Sequence, residues 1–258
     1  MQTQLFVEDR AAVRVLTVSN PVKANALDAR LLKMLEEAIA PGATGHVRAF
    51  VVKADGGQAF CAGWDLESLE PPGEGPLPDE RLSQVMSTLA AHPAPSVALV
   101  NAGAFGAGCE LAISCDFRVG GPRALFCMPP ARLGVVYAPQ GLSRLSALAG
   151  FSTAKRMFLT GRALSAEGAL RAGLLDELHP TEEEATSAAF ALADELAKNA
   201  PLAVAGMKRA FGMLTAARLT EKEQAELQRL RRAAFNSADA KEGRAAFLEK
   251  RAPRFLGS

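Results

Sequence analysis

Neither sign of charge predominates in this chain. Its 258 residues carry 29 Lys and Arg against 28 Asp and Glu, a formal net charge of +1. That balance gives no bulk attraction to nucleic acid or to an anionic membrane, so an anionic ligand must be held by a local arrangement. Histidine and cysteine are also scarce. His46, His92 and His179 are scattered near the ends of expected elements, and Cys61, Cys109, Cys115 and Cys127 have no metal-type spacing. These patterns argue against a metal site and supply no Ser/His/Asp constellation. Three of the cysteines lie in apolar or Gly-rich stretches where a small hydrophobe serves, so free thiols in a reducing compartment are expected. No apolar run is long enough to span a bilayer, and Met1-Gln2-Thr3-Gln4-Leu5 lacks the basic region and apolar stretch of an export signal. A cytoplasmic location is expected. Trp64 and Tyr137 are the only tryptophan and the only tyrosine, against 13 phenylalanines.

Apolar residues make up 49% of the chain, ample for a large core. Val13-Arg14-Val15-Leu16-Thr17-Val18 alternates like a strand, Leu27 to Ile39 has helical spacing with Asp28 as its cap, and Val47 to Ala54 is again strand-like. The order β, α, β then recurs. Glu70 to Pro78 is too rich in proline and glycine for regular structure; it reads as a loop before a helix over about 79–91, either a lid or a plain surface connection. Beyond Ala124-Leu125-Phe126 helical patterns dominate: Phe151 to Thr160, Ser165 to Ala172, and three long stretches from Thr181 to about Phe247.

Two turns built from small residues stand out, Phe60-Cys61-Ala62-Gly63-Trp64-Asp65-Leu66 and Asn101 to Leu111. The second begins where the strand-like Ser96-Val97-Ala98-Leu99-Val100 breaks on small residues and restarts as a helix through Ile113. Free backbone N–H groups at a helix start favour negative charge. Small side chains at 106 to 108 let a substrate approach the main chain, and a donor from the 63–65 turn completes a two-point oxyanion clamp. Taken alone, the glycines favour two ordinary turns over such a clamp.

Glu110 lies in the first turn of a helix otherwise made of Gly, Ala, Cys, Leu and Ile, which predicts burial beside those donors. It is either an acid–base group or an acid held by the helix dipole; dipole and burial pull its protonation in opposite directions. Tyr137 sits on a Pro- and Gly-punctuated loop before a helix. Its hydroxyl needs a partner, either a buried neighbour or a polar substrate group.

Taken together, Lys23-Ala24-Asn25-Ala26-Leu27, Phe60 to Leu66, Asn101 to Leu111, Leu164 to Gly173 and Phe247-Leu248-Glu249-Lys250-Arg251 resemble the enoyl-CoA hydratase/isomerase, or crotonase, superfamily over essentially the whole chain. The resemblance implies an α/β fold, a ClpP-like spiral of ββα units over 1–195, with a C-terminal helical oligomerisation region over 196–258. It implies an acyl-CoA substrate, no cofactor beyond the CoA carried by that substrate, no metal, and assembly as a homotrimer or a dimer of trimers. Carried over by position, the oxyanion donors are the backbone N–H groups of Trp64 and Ala107. The CoA-binding positions are Lys23, Ala24, Ala62, Asp65, Leu66, Phe247 and Lys250, the last two reaching CoA across a subunit contact.

The chain departs from its hydratase relatives at one decisive place. Those enzymes use two glutamates; Glu110 matches the first, but Pro130 stands at the second. Phe126-Cys127-Met128-Pro129-Pro130, Leu133 to Tyr137 and the tail from Arg231 to Pro253 are most similar to the methylmalonyl-CoA decarboxylase branch, whose matching tyrosine contacts the substrate carboxylate. That branch has histidine where this chain has Trp64. The resemblance therefore implies decarboxylation of a malonyl-type thioester. In that reading the clamp stabilises the enolate, Tyr137 orients the leaving carboxylate, and a neutral Glu110 returns the proton. The alternatives are a hydratase, isomerase or thioester hydrolase using Glu110 alone, and a non-catalytic binding scaffold.

Overall fold

A computed structural model describes residues 3–65, 78–130 and 137–214, together with Lys222, Ala238, Glu242, Arg251, Arg254 and Leu256. Strands β1 (Gln4–Arg10) and β2 (Val13–Ser19) form an antiparallel hairpin, and β1 is an exposed, charged edge. From β2 the sheet continues in parallel through β3 (Ala49–Ala54), β4 (Ser96–Val100), β6 (Phe117–Gly120) and β9 (Glu177–Leu178). A second sheet holds β5 (Gly103–Phe105), β7 (Leu125–Cys127) and β8 (Leu164–Ser165).

The interior strands are buried on both faces, as a parallel sheet demands. Leu16, Val18, Phe50, Val52, Ala98 and Val100 pack toward one core. Their alternating neighbours Val13, Val15, Val51, Val97, Leu99 and Val119 pack toward the other, against Ala185, Ala189 and Ala193 of α6 (Glu182–Lys198). Alanine at every fourth position lets that helix approach the strands closely.

The chain winds as a spiral of repeated units: a strand in the large sheet, a short strand or bridge in the second layer, then a helix. Thus β2 is followed by Leu27 and α1 (Ala29–Ala38), and β3 by Cys61, Trp64 and α2 (Pro78–Ala91). Next, β4 is followed by β5 and α3 (Ala107–Ser114), and β6 by β7 and α4 (Pro139–Thr160). Leu27 bridges Trp64 and Cys61 bridges Ala104, both in parallel, so the second layer stacks in step with the first.

The expected elements up to α2 are present. The Asp28 carboxylate caps α1 by accepting from the Leu31 N–H at 2.7 Å. The helix expected over Phe151 to Thr160 is present: it follows a break at Gly150, whose φ of 74° is non-helical, and a further helical stretch from Pro139 precedes that break. Ser165 caps α5 (Ala166–Arg171). Past α6, α7 (Pro201–Leu214) is tied to the sheet by Lys208, whose Nζ lies 2.6 Å from Asp116 Oδ2. The proposed lid from Glu70 and most of the C-terminal tail lie outside the described residues.

Candidate active site

Both candidate turns are positioned by the second layer. In the first, the Leu27 N–H donates to Gly63 O and the Asp65 N–H donates to Leu27 O, each at 2.7 Å. This parallel bridge flanks Trp64 and leaves its own N–H on the opposite side. In the second, the Gly106 N–H donates to Cys127 O, and the first intrahelical bond of α3 comes from the Glu110 N–H to Gly106 O. Ala107 is thus the first helical residue, with its N–H in the group of donors a helix cannot satisfy internally. Among the described residues, neither the Trp64 nor the Ala107 N–H has a protein acceptor.

Three close contacts lock the turns together. The Phe105 N–H donates to Cys61 O at 2.9 Å. A Cβ on Gly108 would lie 2.4 Å from that same carbonyl oxygen, so only glycine lets α3 sit against the first turn. Gly63 has φ +106°, and a Cβ there would lie 3.0 Å from Phe105 O and 3.9 Å from the Ala107 nitrogen. The turn carrying the Trp64 donor therefore abuts the Ala107 donor. Both N–H groups are free, fixed and adjacent, the requirements for stabilising a developing oxyanion.

Every residue of α3 is buried, Glu110 completely. Among the described residues, two donors hold its carboxylate. The Tyr137 hydroxyl donates to Oε2 at 2.5 Å, and Arg144 Nη1 donates to Oε1 at 2.9 Å. Arg144 lies on α4, and its second nitrogen reaches Ser87 Oγ on α2 at 3.4 Å. Gly141 makes room for the cluster: a Cβ there would lie 2.5 Å from Tyr137 Cε1 and 3.3 Å from the Glu110 carboxyl carbon. Pro130 is buried and offers no ionisable group.

The sequence reading missed Arg144, and the omission changes the chemistry assigned to Glu110. Decarboxylation with Glu110 as acid requires a neutral carboxyl, but the half-buried Arg144 guanidinium favours the carboxylate. One signal was available in the sequence: Arg144 is the only charged residue from Pro139 to Ala154, and a lone cation in a weakly polar helix is a candidate partner for a buried acid.

The residues matched to CoA binding are brought together where they are described. Lys23 Nζ lies 2.7 Å from Asp65 Oδ2. Ala24 is in the left-handed region, φ 46°, and its carbonyl accepts from the Ala62 N–H at 3.0 Å. Asn25 fixes this corner by donating to Asp55 O and Ala59 O and accepting from the Asn20 N–H. Leu66, Phe247 and Lys250 lie outside the described residues. All four cysteines are buried and unbridged. Burial pushes the Cys61 thiol up to about 12 and raises Cys109 further, so neither supplies a thiolate nucleophile. Among the described residues, no helix is long and apolar enough to cross a membrane.

The enoyl-CoA hydratase/isomerase family model matches residues 8–258. The Mycobacterium tuberculosis protein named "Probable enoyl-CoA hydratase echA6" is 34% identical over 250 residues, covering 96% of this chain and 97% of its own. Methylmalonyl-CoA decarboxylase of Escherichia coli is 32% identical over 249 residues, covering 95% of each chain. Among solved structures, an enoyl-CoA hydratase from Bacillus anthracis superposes with a TM-score of 0.86 at 26% identity, covering 98% of this chain and 99% of its own. The spiral fold, the paired backbone donors and these matches lead to one conclusion: the chain belongs to the enoyl-CoA hydratase/isomerase family, the crotonase superfamily, and processes acyl-CoA thioesters.

Proposed function

We propose that the chain is a lyase that decarboxylates a malonyl-type CoA thioester, such as methylmalonyl-CoA. The observation carrying this reading is the pairing of the Tyr137 hydroxyl with Glu110; it is supported by Pro130, buried and without an ionisable group, at the position where the hydratases it resembles carry their second glutamate. Loss of CO2 breaks a C–C bond, and its electron pair forms the enolate of the thioester. The Trp64 and Ala107 N–H groups hold the enolate oxygen; each such donor contributes about 3 kcal/mol at a transition state.

The enolate carbon then takes a proton. Glu110, ionised against Arg144, has none to give, so the Tyr137 hydroxyl delivers it and water restores the phenol. An enolate carbon is a far stronger base than a phenolate, so this transfer runs downhill. Glu110 holds the hydroxyl in place. Lys23, Ala24, Ala62 and Asp65, with Leu66, Phe247 and Lys250, bind the CoA portion in this reading. The enzyme acts in the cytoplasm as a homotrimer or a dimer of trimers. The exposed Met207, Phe211 and Leu214, spaced along one face of α7, support that assembly.

One observation favours a second reading, hydration or isomerisation of an enoyl-CoA. The Glu110 carboxyl lies 2.9 Å from the Arg144 guanidinium, a pairing that favours the charged form a general base requires. Mass spectrometry of CoA products after separate incubations with methylmalonyl-CoA, malonyl-CoA and crotonyl-CoA tests both. Loss of CO2 with crotonyl-CoA untouched supports the decarboxylase; hydration of crotonyl-CoA overturns it in favour of the glutamate base.

A further inference from the structure

We infer that Arg144 is a positioning residue that fixes the charge of Glu110, and through it the hydrogen bond that aims Tyr137. The inference rests on the proposed site assignment and deepens it. It makes the division of labour between acid and acceptor a property of α4 rather than of Glu110 alone.

The argument starts from burial. Glu110 has no exposed surface, and its side chain extends from a helix of small and apolar residues. A carboxyl in such a place is neutral unless a cation or several donors compensate its lost hydration. Among the described residues two donors reach it, and they are unequal. Tyr137 supplies a neutral hydroxyl to Oε2, whereas Arg144 supplies a charged donor to Oε1. The Arg144 side chain is itself 15% exposed and braced against Ser87. Among the described residues on the elements around it, Cys109 on α3 stays protonated, Ser87 on α2 is neutral, and Arg144 on α4 is the cation paired with Glu110. Remove that cation and Glu110 takes up a proton at neutral pH. The protonated carboxyl becomes a donor, and the single orientation that makes Tyr137 donate toward Oε2 is lost.

Because Tyr137 is the only tyrosine, it is its own reporter. Protein labelled with 13C at the tyrosine ζ carbon gives one ring resonance from this site, readable without turnover. In the wild type the resonance should stay fixed from about pH 5 to about pH 8, below the ordinary range of a phenol. In Arg144→Met it should move in a titration step inside that window, and in Arg144→Met/Glu110→Gln the step should vanish. Arg144→Lys keeps a charge at the site and should behave like the wild type, guarding against a folding defect in the methionine variant.

Turnover of whichever thioester the wild type accepts should fall about tenfold or more in Arg144→Met, with KM little changed, and the lysine variant should recover part of the loss. A resonance that stays fixed in Arg144→Met would overturn the inference, as would a step that survives Glu110→Gln. Failure of the decarboxylase reading is separate: crotonyl-CoA would be hydrated, and the same titration would still report on Arg144.

Discussion

The hydroxyl of Tyr137 donates to Oε2 of Glu110 across 2.5 Å, joining the chain's single tyrosine to the fully buried acid of α3. If the hydroxyl supplies the proton that quenches the enolate, Tyr137→Phe should lower kcat for a malonyl-type thioester about 100-fold, the scale of a lost proton donor. The ring still packs against Phe158, at 5.4 Å between centroids, so the melting temperature should change little. Stopped-flow release of CO2 alongside thermal unfolding checks both. Undiminished turnover would remove Tyr137 from the mechanism.

Ala107 occupies the first helical position of α3, the place in a helix where proline is best tolerated. Ala107→Pro should therefore fold, yet it deletes one of the two proposed oxyanion donors and places ring carbons where the N–H points. The expected result is a loss of about 100- to 1,000-fold in kcat with near-normal circular dichroism. Retained activity would show that the thioester oxygen is held elsewhere.

The free N–H at the start of α3 was legible in the sequence because small residues between a strand and a helix leave a physical signature. Glu110 was legible as a buried acid for the same reason, being the one charge in an apolar helix. The short strands were not. Gly103–Phe105 and Leu125–Cys127 have three residues each, too few to show a period. They exist because neighbouring units supply their pairing, as when Gly103 pairs with Leu125 in register. Arg144 was missed for a related reason: its partner lies 34 positions away, and only the crossing of α3 and α4 brings the two charges together.

Two glycines separate stability from catalysis. A Cβ at Gly108 would meet the backbone oxygen of Cys61, which is locked in the second layer, so Gly108→Ala should cost about 1–3 kcal/mol and lower the melting temperature by several degrees. A Cβ at Gly141 would meet the Tyr137 ring, which can turn aside. Gly141→Ala should therefore spare most of the stability and lower kcat by displacing the hydroxyl. Equal effects of the two substitutions on unfolding would contradict this distinction.

Asp9 gives a pH signature remote from the site. Its hydrogen bond from Arg14, with smaller help from His46, lowers its carboxyl to about 2. A depressed acid stabilises the fold above the ordinary carboxylate range, and this stabilisation is lost as pH falls from about 4 toward about 2. The Asp9 side chain is 33% exposed, so the pair is worth about 1 kcal/mol or less. Asp9→Asn should lower the melting temperature by a few degrees at neutral pH, and the gap should close near pH 2. A gap that persists in acid would assign the effect to packing instead.

Among the described residues, the buried Nε1–H of the Trp64 indole has no hydrogen-bond partner, and the backbone N–H of the same residue is one of the two proposed oxyanion donors. An unmet buried donor costs about 1–3 kcal/mol, so Trp64→Phe, which keeps an aromatic ring and the backbone donor, should leave the melting temperature level or raise it. The lost ring volume should also widen the acceptance of bulkier acyl groups. Comparing KM for malonyl-CoA with that for a longer-branched malonyl thioester checks this, alongside thermal unfolding. A fall of many degrees would show that the indole nitrogen is paired in solution. A rise in KM confined to carboxylate-bearing thioesters would identify that nitrogen as the group receiving the substrate's carboxylate.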